Sequence, residues 1–141
     1  MNQDISRYSQ IDINTSNPLK IVLMLYDGAI TFLNKAVDYL EKNDIPNKNV
    51  YANNAREIIE ELNNSLNMDA GGELASNLRR LYFFMNRHLM KANWDNDVKG
   101  IREVIQMLTN LREGWQDAYM QYQKSNDGPG ADTRIGSGFK V

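Results

Sequence analysis

NPLKIVLMLYDGAITFLNKAVDYLEKN, residues 17–43, is the stretch on which the fold turns. Asn17 stands where a helix N-cap is wanted, and Pro18 suits the first helical position, its φ already set and its missing N–H no loss there. Leu19, Val22, Leu23, Tyr26, Ile30, Leu33, Val37 and Leu40 then recur at spacings of three and four, one stripe along a helix predicted over 18–43. Ile21, Leu25, Phe32, Ala36 and Tyr39 form a second apolar stripe beside it. A helix apolar on two faces has to be covered from more than one side, so this one is expected to be central. Lys20, Asp27, Asn34, Lys35 and Asp38 interrupt it too often for a helix facing lipid.

Working outward, Asn43-Asp44-Ile45-Pro46 ends that helix, and a second is predicted over 47–66. Its stripe is narrow: Ala55, Ile58, Ile59, Leu62 and Leu66, with Arg56, Glu57, Glu60, Glu61 and Asn63 facing water, the pattern of a peripheral element. Asn67 to Gly72 is a turn, since glycine tolerates positive φ and Asn and Asp bond their own backbone. The third helix, predicted over 72–92, has the stripe Leu74, Leu78, Leu81, Tyr82, Met85 and Leu89. Phe83, Phe84 and Met90 flank it at positions a core of this size does not need, so some of them should stay exposed. After Asn93-Trp94-Asp95-Asn96 a fourth helix, over 97–123, carries Ile101, Val104, Ile105, Leu108, Leu111, Trp115, Ala118 and Tyr122 in near-heptad spacing. Within it Gly100 and Gly114 each cost about 1 kcal/mol relative to Ala, which points to close packing at those turns or to simple tolerance.

Four amphipathic segments on short turns, with no strand-like alternation, predict an all-α fold: an antiparallel up-down-up-down four-helix bundle over 17–124. Residues 1–16 are polar apart from Ile5, Tyr8, Ile11 and Ile13, which suits an N-terminal arm loosely docked along the bundle. From Ser125 the chain turns to Asn, Asp, Gly and Ser, and 125–141 is expected to be a disordered tail.

The composition narrows the function. Among 141 residues, 16 Lys and Arg against 18 Asp and Glu give a net charge of −2, with no field to gather nucleic acid or an anionic membrane; neither is an expected partner. The absence of Cys removes disulfides, thiolate metal sites and cysteine nucleophiles, and fits a reducing compartment, with the cytosol as default. Nor does the polar N-terminus resemble a signal peptide. His88 has no metal-ligand partner one helical turn away, Glu57, Glu60 and Glu61 are spaced as a solvated face, and Gly71-Gly72 lacks the flanking Lys-Ser/Thr of a phosphate loop. Arg79-Arg80 beside Tyr82 is a weak footprint for nucleic acid. No catalytic, cofactor or metal site is expected. What remains is a surplus of large apolar residues: seven Met, seven Tyr, four Phe and two Trp. Met adapts its shape and aromatic rings offer wide contact at low entropic cost, so the surplus suits either a well-filled core or a surface that accepts an amphipathic helix.

Five fragments in order carry a family resemblance. They are Ile5-x-x-Tyr8 with Asn17-Pro18-Leu19 through Leu25-Tyr26-Asp27-Gly28-Ala29 and Phe32-Leu33; Ala55-x-x-Ile58-Ile59-x-x-Leu62; Gly71-Gly72-Glu73-Leu74-Ala75-x-Asn77-Leu78-x-x-Leu81-Tyr82; Leu89-x-x-Ala92-Asn93; and Leu111-Arg112-Glu113-x-Trp115. Over residues 5 to 120 the chain resembles the FliS family of flagellar secretion chaperones. The resemblance implies a cytoplasmic, non-enzymatic helical protein that wraps the C-terminal segment of flagellin, prevents premature polymerisation and assists delivery to the type III export apparatus. FliS-like proteins are also reported to meet an export-gate component and flagellar regulators, though no motif in this sequence marks such surfaces. It places Ile5 and Tyr8 in an arm that covers an apolar groove until the client displaces it. Phe84, Met90, Trp94, Met107 and Trp115 are the expected groove residues, because they lie on or beside stripes that a four-helix core leaves partly open; for Trp115 core packing competes with that role. The alternative is a structural bundle that associates with itself.

Overall fold

The structure, a computed structural model, describes residues 18–126. Four helices follow in order: α1 Pro18–Glu41, α2 Ile45–Asn64, α3 Gly72–Trp94 and α4 Val98–Asn126. Asn17, the arm over 1–16 and the tail beyond Asn126 lie outside the described residues.

The helix ends depart from expectation by a few residues, each for a local reason. α1 stops at Glu41 because Asn43 turns left-handed at φ 59, which lets the Asp44 N–H donate to the Tyr39 carbonyl at 2.8 Å and the Asn43 N–H to that of Leu40 at 3.0 Å. Asp44 then caps α2, its Oδ1 accepting from the Asn47 N–H at 3.2 Å, and Pro46 fits inside the first turn. The second helix therefore opens at Ile45. α3 closes by the same device, with Asn96 at φ 51 and the Asp97 N–H donating to the Ala92 carbonyl at 2.8 Å. Asn serves at both sites because it tolerates the left-handed region better than most side chains. The fourth helix runs on to Asn126, so Ser125 and Asn126 are helical and not part of an unstructured tail.

α1 packs on α2 and on α4, and α3 closes the ring by packing on those same two. Cross-helix pairs show neighbouring helices running antiparallel. Asp27 pairs with Arg112 and Glu41 with Arg102 between α1 and α4, while Lys48 meets Asn93 and Arg56 meets Asn86 between α2 and α3. The central place expected of α1 is borne out, since Leu19, Val22, Tyr26 and Leu33 of one stripe and Ile21, Leu25, Phe32 and Ala36 of the other are all buried. The second helix is less peripheral than its narrow stripe suggested. It also buries Lys48, Ala52 and Asn54, and Arg56, Glu57 and Asn63, expected in water, are half-buried because α2 stands between α1 and α3. Leu74, expected in the core, is 57% exposed: it lies in the first turn of α3 at the bundle's end, where Ala75 takes the buried position.

Three side chains tie α1, α3 and α4 through the interior. The Tyr26 and Tyr82 hydroxyls are 2.5 Å apart, and the Trp115 indole N–H donates to Tyr26 Oη at 3.1 Å. Burial pushes the Tyr26 phenol up to about 12, against the lowering effect of its two hydrogen bonds. Burial, and then the neighbouring Tyr26, drive Tyr82 further the same way.

The two helical glycines separate. A Cβ at Gly100 would stand 2.7 Å from Ala92 Cβ and 2.9 Å from Asp97 Oδ2, so glycine lets α3 and α4 approach where the chain turns between them. At Gly114 a Cβ would meet nothing within 4 Å. Gly114→Ala is expected to raise stability by about 1 kcal/mol through helix propensity alone, and Gly100→Ala to lower it. Thermal melts of the two variants check this; a Gly100→Ala protein melting above the parent would refute the close contact.

Candidate protein-docking surface

α3 turns six buried residues inward, Ala75, Leu78, Tyr82, Met85, Leu89 and Ala92, and keeps a second apolar set outside. Phe83, Phe84 and Met90 are each about half exposed and Trp94 is 86% exposed. Consecutive residues point roughly 100° apart on a helix, so Phe83 and Phe84 fall on opposite shoulders of α3. The result is a ridge with a cleft on either side.

On the α2 side, Phe83 and Met90 line a cleft of about 400 Å³ together with Arg56, Asn63, Asn86 and Arg87, above the buried ring of Tyr82. The Arg79 guanidinium lies 5.5 Å from the Phe83 ring centre. On the α4 side, Phe84 and Met107 line a second cleft of about 340 Å³ with His88, Glu103 and Gln106. There the His88 ring stacks on Phe84 with centres 5.7 Å apart, and its Nε2 lies 3.4 Å from Glu103 Oε1. Where α3 ends, Trp94 borders a smaller hollow of about 220 Å³ with Ile45, Lys48 and Asn93. The buried Lys48 ammonium donates to the Asn93 carbonyl at 2.8 Å, a cation placed at the negative end of α3, and burial lowers its pKa.

The expected groove residues are thus distributed around one ridge. Met90 belongs to the first cleft, Phe84 and Met107 to the second, and Trp94 to the end of the ridge. Trp115 does not join them: at 9% exposed and bonded to Tyr26 it is a core residue, so the competing expectation for it is the one the structure supports. Ile5 and Tyr8 lie outside the described residues. Phe83 was legible as a flanking position but was not among the expected groove residues; Met120, 52% exposed on α4, lines none of the three clefts.

Such a surface offers apolar contact flanked by hydrogen-bonding groups, the form that receives an amphipathic helix. Among the described residues no group of three or more His, Asp or Glu is placed to hold a metal ion, and no helix is long and apolar enough to cross a membrane.

Relatives share this chain's sequence and fold. It is 35% identical over 123 residues to the flagellar secretion chaperone FliS of Bacillus subtilis (strain 168), covering 87% of this chain and 91% of that one. To the protein of the same name from Salmonella typhimurium it is 36% identical over 117 residues, covering 79% and 87%. A crystal structure of a flagellar chaperone from bacteria superposes with a TM-score of 0.70 at 28% identity, over 84% of this chain and 97% of that one. The family model described as flagellar protein FliS matches residues 1–122, and with relatives of this identity and coverage the chain belongs to the FliS family.

Proposed function

We propose that this protein is a cytoplasmic, non-enzymatic export chaperone that holds the C-terminal segment of flagellin, keeps it from polymerising early and helps hand it to the flagellar export apparatus. The observation that carries this reading is the ridge of α3, an apolar strip left uncovered by its own bundle between two clefts. The family supports a flagellar partner, and the physics supports a segment that folds on the surface it binds. Ordering such a segment costs about 2–5 kcal/mol of the gross interaction energy, which leaves a long contact releasable. In this reading Phe84, Met90, Trp94 and Met107 receive the client, and the arm with Ile5 and Tyr8 covers the surface until the client arrives. An export-gate component and flagellar regulators are further proposed partners.

Mixing the purified protein with a synthetic flagellin C-terminal segment should give a soluble one-to-one complex whose circular dichroism exceeds the sum of its parts in helical signal. Tyr8→Ala should weaken that complex while leaving the melting temperature nearly unchanged. Separate elution at micromolar concentration, with no heat in calorimetry, would rule the function out. A chain whose light-scattering mass rises with concentration, and which ignores the segment, would favour a self-associating structural bundle instead.

A further inference from the structure

The cleft between α2 and α3 carries its reachable charge at the lip. Asn63 Oδ1, Asn86 Oδ1 and Arg56 Nε belong to lining residues but are shut off from solvent, so recognition from outside falls to the exposed side chains of the rim. α3 supplies them. It carries Arg79, Arg80, Arg87 and Lys91 against the single carboxylate of Glu73, in a chain whose net charge is −2. Arg79, Arg80 and Arg87 are all exposed, and none has an ion-pair partner among the described residues.

Arg79, Phe83, Arg87 and Met90 follow one another at helical spacing, so they run as one strip along the α2 side of α3, guanidinium and apolar group in alternation. The Arg79 guanidinium lies 5.5 Å from the Phe83 ring centre, a contact that holds it at the lip with less freedom to lose on binding. Arg87 lines the cleft itself, where Glu60 is the acidic lining residue and pairs with neither arginine. A guanidinium is matched by a carboxylate, which accepts two parallel N–H bonds from it. Arg79 and Arg87 are spaced by about 12 Å along the axis, roughly two turns of any helix lying beside α3. We infer that the client helix carries two carboxylates about two turns apart on the flank of its apolar stripe, and that Arg79 and Arg87 receive them. This rests on the proposed capture of the flagellin C-terminal segment and adds to it the charge pattern that sets the client's register. Nucleic acid and anionic lipid are also drawn to arginine, but each is gathered by a broad cationic face, whereas these arginines alternate with Phe and Met in an acidic protein.

Rim charges act on encounter and on salt dependence, which separates them from apolar anchors. Affinity for the synthetic flagellin C-terminal segment should fall about tenfold as ionic strength rises from about 0.05 to about 0.5 M. Arg79→Gln combined with Arg87→Gln should lose about tenfold in affinity at low salt, chiefly in association rate, and most of the salt response. Its melting temperature should stay in place, since both positions are exposed and Gln is a good helix former. On the client side, replacing each Asp by Asn and each Glu by Gln should find two positions whose loss weakens binding to the parent protein but not to the double variant. Arg87→Glu should bind poorly and recover when one of those carboxylates is replaced by Lys. Parent-like affinity and salt response in the double variant overturn the inference, as does a client scan in which no carboxylate is coupled to either arginine. So does a double variant that loses binding to phosphatidylglycerol vesicles or to single-stranded DNA while its affinity for the segment is unchanged. A parent protein that does not bind the segment at all overturns the chaperone reading itself, a result separable from the others.

Discussion

Tyr26→Phe should lower the stability of the bundle by about 2–4 kcal/mol, although it removes one oxygen atom. That oxygen accepts from the Trp115 indole and bonds the Tyr82 hydroxyl, so its loss removes two buried bonds, to two other helices, at once. Tyr82 sits at the end of the chain of bonds. Tyr82→Phe leaves the Trp115 bond intact and should cost roughly half as much. Denaturant unfolding of the two variants decides the matter, and equal losses would mean that Tyr26 is not the centre of the network. The same pair sets the alkaline limit. Both phenols are held neutral in the folded state, Tyr26 up to about 12 against an ordinary 10.0, so their contribution is complete below pH 10 and drains away as pH climbs from there toward 12 and above. Tyrosinate absorbance should show Tyr26 and Tyr82 ionising only as the bundle unfolds, and Tyr26→Phe should flatten the loss of stability across that window.

Phe84→Glu combined with Met90→Glu should weaken binding of the flagellin C-terminal segment by more than about 100-fold, two interface anchors of about 2 kcal/mol or more each being lost. Each change puts a charge into one of the two clefts beside α3. Both residues are about half exposed and Glu is a good helix former, so the melting temperature should move little. Met120→Glu serves as the control, being equally exposed but on α4. Calorimetric titration would count against the ridge if the double variant bound like the parent, or if Met120→Glu bound as poorly.

The fold was legible because spacing carries it. The double stripe of α1 announced a helix covered on two sides, and the runs Asn43-Asp44-Ile45-Pro46 and Asn93-Trp94-Asp95-Asn96 marked the turns that close α1 and α3. The motifs that carry the family resemblance prove to be the joints of the frame. Tyr26 and Asp27 of the first touch Trp115 and Arg112 of the last, and Tyr82 of the third completes the link. For that reason the proposed docking surface was harder to see: the most distinctive residues hold the bundle together, and the exposed ridge is built from ordinary Phe and Met. Periodicity names the face a helix turns inward but not how far its neighbours reach around the flanks. Leu74 therefore passed for core although the bundle ends beside it, and Trp115, on the apolar stripe of α4, was offered to the groove although Tyr26 holds it inside. The unpartnered amide oxygens of Asn63 and Asn86 had no signature in sequence, since an Asn on a helix looks solvated until its neighbours are placed.

Nature has also fitted this molecule with two optical probes in contrasting surroundings. Trp94 stands almost wholly in water while Trp115 is enclosed and hydrogen-bonded. Emission from the former should lie to the red of the latter and shift blueward when anything settles near the tip of α3, whereas the enclosed indole should change only on denaturation. An unlabelled sample can in this way report occupancy and integrity in a single spectrum.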